Sequence, residues 1–243
     1  IHMPLLRNQD KSKISKRKNP VSIRYYQEAG FLPRALLNFL ANMGWSIGDD
    51  KEKFSLDEMV AAFDIDRVSL GGPVFDLEKL SWLNGLYLRE LSDEDVLAEL
   101  LRWRFSREPM LRVVKLVHER MRRLDEFVPM TAYFFSGDLD YRAVEDKLVP
   151  KTRTAKELTK VLGELSEELD QLANDFTTAA LEPRVRAFAE AREWPTKDLF
   201  MSLRIAVTGT AASPPLFETM QVLGRELCRR RLGQAMAHAK QMK

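Results

Sequence analysis

Apolar residues recur every three to four positions along most of this chain. The interruptions fall where capping residues, proline or glycine start and stop helices. A helical stretch with Tyr25 and Tyr26 ends near Gly30, and Pro33 opens a second, with Leu36, Leu37, Leu40 and Met43 at helical spacing before Gly44-Trp45. Ser55 followed by Glu58 is a capping box, which predicts a helix to about Phe63. After the break at Gly71-Gly72-Pro73 a helix is expected over 77–85. Ser92 caps another, with Val96, Leu97, Leu100 and Leu101 on one face, and Pro109 starts one with Leu111, Val114, Val117, Met121 and Leu124 turned inward. Thr154 and Glu157 form a second capping box, ahead of a stripe of Leu158, Val161, Leu162, Leu165, Leu169 and Leu172. Pro183 and Trp194-Pro195-Thr196 start two more helices. Ser213-Pro214 starts the last, with Leu216, Met220, Leu223 and Leu227 inward. Alternating strand patterns are scarce. The expected fold class is all-α from about residue 20, with a strand remnant at Met3–Leu6. The least structured points are 71–73, 137–140 and 208–213, and the second of these is a seam between helical domains.

Composition adds little to that picture and removes some alternatives. The chain has 243 residues, 45% of them hydrophobic and 30% charged, as expected of a protein with a packed core. No apolar run approaches the roughly 18 residues of a membrane span. Cys228 is the single cysteine, which excludes internal disulfides and fits a reducing, cytoplasmic setting; it sits in a helical pattern beside apolar residues, with no sign of reactivity. The four tryptophans, Trp45, Trp82, Trp103 and Trp194, are expected as core residues or anchors between helices rather than base stackers.

Charge changes the picture more. Net charge is only +2, yet it is distributed in blocks. Residues 35–100 hold 5 Lys or Arg against 14 Asp or Glu, whereas 101–153 hold 12 against 8 and 201–243 hold 7 against 2. Separated basic blocks suit a long polyanion touched at several places; ordinary solvated helix faces would also produce them.

The chemistry-bearing string is Lys13-Ile14-Ser15-Lys16-Arg17. A loop carrying two ammonium groups around a small hydroxyl residue can close on a triphosphate and neutralise a departing pyrophosphate. With Pro4-Leu5-Leu6-Arg7-Asn8 before it, the string resembles the lysine-loop signature of class I aminoacyl-tRNA synthetases, and of the glutamyl-tRNA synthetases in particular. The resemblance continues through Tyr25-Tyr26, Pro33-Arg34-Ala35-Leu36-Leu37, Met43-Gly44-Trp45-Ser46, Ser69-Leu70-Gly71-Gly72-Pro73-Val74-Phe75-Asp76, Trp82-Leu83-Asn84-Gly85 and Arg89. It resumes at Leu203-Arg204, Thr208-Gly209 and Ser213-Pro214-Pro215-Leu216-Phe217-Glu218, so it covers essentially the whole chain. The helical character of the distal half is similar to the bacterial type.

That resemblance implies an ATP-dependent glutamate–tRNA ligase. ATP, accompanied by Mg, activates glutamate to glutamyl-adenylate, and the 3′-terminal ribose of tRNA(Glu) then takes the glutamyl group. Lys13 and Lys16 are implied as catalytic lysines, and Lys13, Ser15, Lys16 and Arg17 as ATP-binding. Arg204, Ser213, Pro214, Leu216 and Phe217 are implied as anticodon-binding, together with an arginine among Arg120, Arg122 and Arg123. Physically, arginine forks suit phosphates and stack on splayed bases, a helix N-terminus offers free N–H groups, and Phe217 could stack on or wall a base. Arg229-Arg230-Arg231 is either an RNA contact or an exposed helix face. No metal site is expected, and a monomer is.

The implied organisation has the end of a nucleotide-binding domain at 1–18 and a helical stem-contact domain at 19–92. Helical anticodon-binding domains follow at 93–148 and 149–243. The second class I signature, H-x-G-H, has no counterpart, because the histidines are His2, His118 and His238. The chain is therefore expected to be a C-terminal half that forms no adenylate alone, with further residues preceding Ile1. The competing reading is a non-catalytic helical RNA- or protein-binding module on a synthetase-derived scaffold, from which an intact lysine loop discriminates.

Overall fold

A computed structural model describes residues 5–14, 22–172 and 175–242. The backbone is helical, and single β-bridges, Arg7 with Lys13 and Arg7 with Val74, are the only extended pairings among the described residues. The chain forms two units, Ile1–Trp103 and Arg104–Lys243.

The first unit contains α1 (Ile23–Glu28), α2 (Pro33–Asn42), α3 (Leu56–Ala62), α4 (Leu77–Leu88) and α5 (Asp93–Leu100). Its core joins Tyr25, Tyr26, Leu32, Ala35, Phe39, Phe75, Leu80, Leu83 and Tyr87. Two asparagines buried in this core carry backbone duties. Asn84 Oδ1 accepts the Leu32 N–H at 2.8 Å and so caps α2 from 52 residues away. Asn38 accepts from the Tyr87 hydroxyl at 2.8 Å and donates to the Glu52 carbonyl at 2.9 Å, fastening the 52–54 segment to α2. The Ser55–Glu58 capping box at the start of α3 forms as the sequence predicts.

The apolar stripe expected on α2 is displaced. Ala35, Asn38 and Phe39 face the core, while Leu37 and Leu40 are exposed along a groove of about 730 Å³ that also meets α1 and α5. No residue of α5 is buried, and of the apolar face that the spacing marks, Leu97, Leu100 and Leu101 are exposed. Trp82 is also exposed, because α4 turns Leu80, Leu83 and Tyr87 inward instead. Trp45 is buried against Phe54, and Trp103 donates to the Glu28 carbonyl at 2.9 Å.

The second unit contains α6 (Arg107–Val117), α7 (Phe127–Thr131), α8 (Glu145–Leu148), α9 (Ala155–Asp170), α10 (Thr178–Ala191), α11 (Thr196–Thr208), α12 (Leu216–Leu223) and α13 (Arg225–Gln241). Its core is organised by α9, which runs against α13. The predicted stripe is buried at Leu158, Val161, Leu162, Leu165 and Leu169, each contributing about 1.5–3 kcal/mol as an upper estimate. Val113, Tyr133, Phe134, Tyr141 and Leu148 belong to the same apolar core, as does Trp194. Cys228 is buried within it.

Three expectations are corrected here. The helix expected from Pro109 starts at Arg107 and ends at Val117, leaving Leu124 exposed in a 3₁₀ turn. Pro183 lies inside α10 rather than at its start. The single last helix is two, because Gly224, at φ 82° and ψ 161°, takes a conformation outside the helical region that only glycine adopts readily.

Candidate nucleic-acid interface

α11 ends at Thr208 and the chain turns at Gly209, whose φ of 69° is the left-handed conformation of a helix C-terminus. Hydroxyls then stitch the following loop. Thr208 Oγ1 donates to the Arg204 carbonyl at 2.7 Å and accepts the Thr210 N–H at 3.3 Å, and Thr210 Oγ1 accepts the Ala212 N–H at 3.3 Å. Pro215 is the N-cap of α12 and Leu216 its first residue, two residues beyond the start expected at Ser213-Pro214. The first acceptor bond of α12 is Thr219 N–H to the Pro215 carbonyl. The amides of Leu216, Phe217 and Glu218 therefore have no intrahelical acceptor. Glu218 already places negative charge in this turn, so these donors suit a neutral base edge better than a phosphate.

Two arginines converge on this turn from different elements. Arg204, half-buried on α11, donates to the carbonyls of Ser213 at 3.1 Å and Pro214 at 2.6 Å, and to the Ser213 hydroxyl. Arg120, exposed at the end of a 3₁₀ turn after α6, donates to the same Ser213 carbonyl at 3.1 Å. Among the described residues neither is ion-paired to a carboxylate, whereas Arg123 is held bidentately by Asp125 at 3.0 Å. Burial, with Arg120 nearby, pushes the Arg204 guanidinium below its ordinary value. Burial pushes the adjacent Tyr133 phenol up to about 12, against the pull of the Arg204, Arg231 and Arg120 charges. Two like charges meeting on one carbonyl leave a net positive edge beside free amide donors, which favours an electron-rich ligand.

The structure therefore brings Arg120, Arg204, Ser213 and Pro214 together, while the Arg123 side chain is held by Asp125 and the Arg122 backbone N–H donates to Glu126. Leu216 and Phe217 are buried at 4% exposure each, and Phe217 packs edge-on against Phe200 at 5.0 Å. Core packing accounts for both side chains; of the two roles considered for Phe217, stacking on a base or walling one, its burial is compatible with the second. Pro214 is buried as well. Arg229 pairs with Asp170 at 3.4 Å, Arg230 pairs with Asp138, and Arg231 is completely buried; neither reading of that triplet holds for Arg231. The burial of Arg231 escapes sequence reading, since a basic triplet carries no positional signal.

At the other end of the chain, residues 6–14 form a tight loop. Asn8 N–H donates to the Ser12 carbonyl at 2.8 Å, Ile14 N–H to that of Leu6 at 3.2 Å, and Lys11 is left-handed at φ 62°. The loop is tied to the first unit by Arg7 N–H to Pro73 carbonyl at 2.9 Å and Phe75 N–H to Arg7 carbonyl at 2.8 Å. Lys13 is exposed at its edge. Ser15, Lys16 and Arg17 lie outside the described residues, as do Met3 and Pro4 of the expected strand remnant. Among the described residues no three His, Cys, Asp or Glu side chains are grouped to hold a metal ion, and no helix is long and apolar enough to cross a membrane.

Comparison with known proteins defines the class first. The model of the anticodon binding domain matches residues 96–236, more than half of the chain, and the chain belongs to that family. The model of the catalytic domain of class I tRNA synthetases (E and Q) matches residues 1–82. The curated relatives are more particular. The chain is 44% identical over 237 residues to the glutamate–tRNA ligase of Stutzerimonas stutzeri (strain A1501) and 43% identical over 237 residues to that of Pseudomonas fluorescens (strain Pf0-1). Each match covers 97% of this chain and 47% of the relative, so the chain spans about half the length of the curated relatives it matches. A solved glutamate tRNA ligase from Elizabethkingia meningosepticum, in complex with its amino acid, is 27% identical with a TM-score of 0.46, over 97% of this chain and 51% of that one.

Proposed function

We propose that this chain is the tRNA-binding, anticodon-recognising part of an ATP-dependent glutamate–tRNA ligase. The observation that carries the reading is the convergence of Arg120 and Arg204 on the Ser213 carbonyl, beside the unsatisfied amides that open α12. Anticodon bases are unpaired and splayed, so their edges can reach such donors, and their phosphates can meet the arginine charge. Arg120 is exposed and singly bonded, which suits direct contact. Arg204 is half-buried and its guanidinium is spent on the turn, which suits shaping the surface that Ser213 presents. Leu216 and Phe217 back that surface from the core. Arg122 serves the surrounding RNA backbone, and Arg123, held by Asp125, contributes far less to it.

In the whole ligase, ATP with its magnesium reacts at the glutamate carboxylate to give glutamyl-adenylate and pyrophosphate. The 3′-terminal ribose of tRNA(Glu) then displaces AMP. Lys13, Ser15, Lys16 and Arg17 serve the phosphates of ATP in the first step, through charge delivered on mobile stems. The tie between Arg7 and the 73–75 segment supports this assignment, because it roots the lysine loop on packed helices. Residues 19–92 meet the stem of the tRNA and 93–243 its anticodon arm. The alternative of a non-catalytic module is disfavoured by the match to the catalytic domain over 1–82, which includes the lysine string. The protein is read as cytoplasmic and monomeric.

The test is a titration of the 243-residue chain with tRNA(Glu) and with a transcript altered only in its anticodon. Each lost base contact should cost about 1–3 kcal/mol, or roughly 5- to 150-fold in affinity. Equal affinity for the two would refute anticodon reading by this chain.

A further inference from the structure

Among the described residues Arg231 is the largest fully buried side chain, and no carboxylate is paired with it. Its partners are backbone carbonyls at the ends of two helical segments. Nη1 donates to Val207, one residue before the last of α11, at 2.7 Å. Nη2 donates to Tyr133, within the 3₁₀ turn that follows α7, and to Ser136 just beyond that turn at 2.8 Å. The positive charge thus sits where carbonyl groups left over at helix C-termini concentrate negative potential, which stands in for an anionic partner. The Tyr141 hydroxyl lies 2.9 Å from the Ala206 carbonyl and 3.2 Å from that of Arg231 itself.

These contacts fall at one place. Ala206 and Val207 lie between Arg204 and the Gly209 turn, and the loop beyond delivers Ser213 and Pro214. Ser136 leads into the 137–140 segment, which touches that turn from the other side: a Cβ on Gly209 would lie 3.5 Å from Leu139 Cβ and 3.6 Å from the Asp140 carbonyl. One buried cation therefore fastens both backbones that flank the turn.

We propose that Arg231, assisted by Tyr141, is a positioning residue that fixes the exit of α11 and holds the Ser213–Pro214 edge in register for the anticodon. The proposal rests on the reading of that edge as the anticodon surface. Arg231 itself touches no RNA; it acts through the Val207 carbonyl and the 208–215 loop. A side chain that served stability alone would loosen the whole core when altered. One that positions the loop loosens the loop selectively.

The experiment uses the 243-residue chain and its Tyr141→Phe, Arg231→Lys and Arg231→Met variants. Amide hydrogen exchange is followed at Gly209, Thr210 and Ala212 and, for reference, along α9. Affinities for tRNA(Glu) and an anticodon-altered transcript are measured alongside. Tyr141→Phe, which removes one hydroxyl, should keep the fold, speed exchange in the loop about tenfold with α9 unchanged, and lower the ratio of the two affinities about fivefold. Arg231→Met should do more, and Arg231→Lys should fall between it and the unaltered chain. Should Arg231→Met not fold, Tyr141→Phe and Arg231→Lys decide. Exchange that stays unchanged, that rises equally in α9, or that rises with no change in the affinity ratio would overturn the proposal. If the unaltered chain does not discriminate between the transcripts, the anticodon reading fails, and the exchange data alone still decide whether Arg231 and Tyr141 hold the loop.

Discussion

Replacing Arg204 by methionine keeps most of the side chain's apolar stem but removes the guanidinium that joins α11 to the Ser213–Pro214 turn. Three acceptors are affected. The Ser213 carbonyl retains Arg120 at 3.1 Å, so its loss is partial. The Pro214 carbonyl, on a buried residue, loses a charged donor at 2.6 Å, and the Ser213 hydroxyl loses its charged partner too. Hydrogen bonds to a charged group contribute about 1.5–3 kcal/mol each, and at this half-exposed site water restores part of that. The expected loss of folding stability is therefore about 2 kcal/mol, measured by urea denaturation of the 243-residue chain. Because the turn is freed at its presenting edge, preference for the native anticodon should also fall, by about 1.4 kcal/mol or tenfold, read by fluorescence anisotropy with matched and anticodon-altered tRNA. A variant within about 0.5 kcal/mol of the original stability and with an unchanged preference would show that the guanidinium does not organise this surface.

The other predictions concern single contacts elsewhere. Arg120→Ala should weaken tRNA binding and reduce its salt slope by about one counterion, whereas Arg123→Ala, whose side chain is held by Asp125, should change both far less; binding titrations across salt concentrations compare them. Gly209→Ala should destabilise the chain by about 1 kcal/mol through its left-handed φ alone, since the new methyl meets its neighbours at ordinary contact distances; thermal unfolding reads this. Leu162→Ala, in the fully buried stripe of α9, should cost about 2–5 kcal/mol by the same measurement. The Glu58 carboxyl is held down to about 2 by its bond to Lys51 and by the capping box at Ser55. A depressed carboxylate supports the start of α3 above its ordinary value near 4.5, and that support is lost as pH falls toward 2. A titration of Glu58 followed by NMR should move to higher pH in Lys51→Met.

Much of this architecture can be read along the chain where local chemistry decides it. The Ser55 and Thr154 capping boxes form as written, because both partners lie within one turn of backbone. The α9 stripe is legible because α13 covers the face that its period marks. Periodicity fails where no neighbour covers the marked face. Leu37 and Leu40 on α2 and the apolar side of α5 have the right spacing and remain exposed. The break at Gly224 is hidden because Leu223 and Leu227 keep helical spacing across it, and only the backbone torsion reveals it. At the candidate interface, the resemblance singles out Arg204, Ser213 and Pro214, but it does not reveal that Arg204 is spent on the turn. Nor could a run of three arginines indicate that the third is buried, since that depends on carbonyls 24 and 98 residues away.

The central claim, that the Arg120–Arg204–Ser213 edge faces the anticodon, is tested most directly by crosslinking the 243-residue chain to tRNA(Glu) carrying a photoreactive thiouridine in the anticodon. Adducts mapping to residues around 120 and within 204–218 are the expected result. Adducts confined to the Arg184–Arg192 side of α10, with none near Ser213, would contradict it.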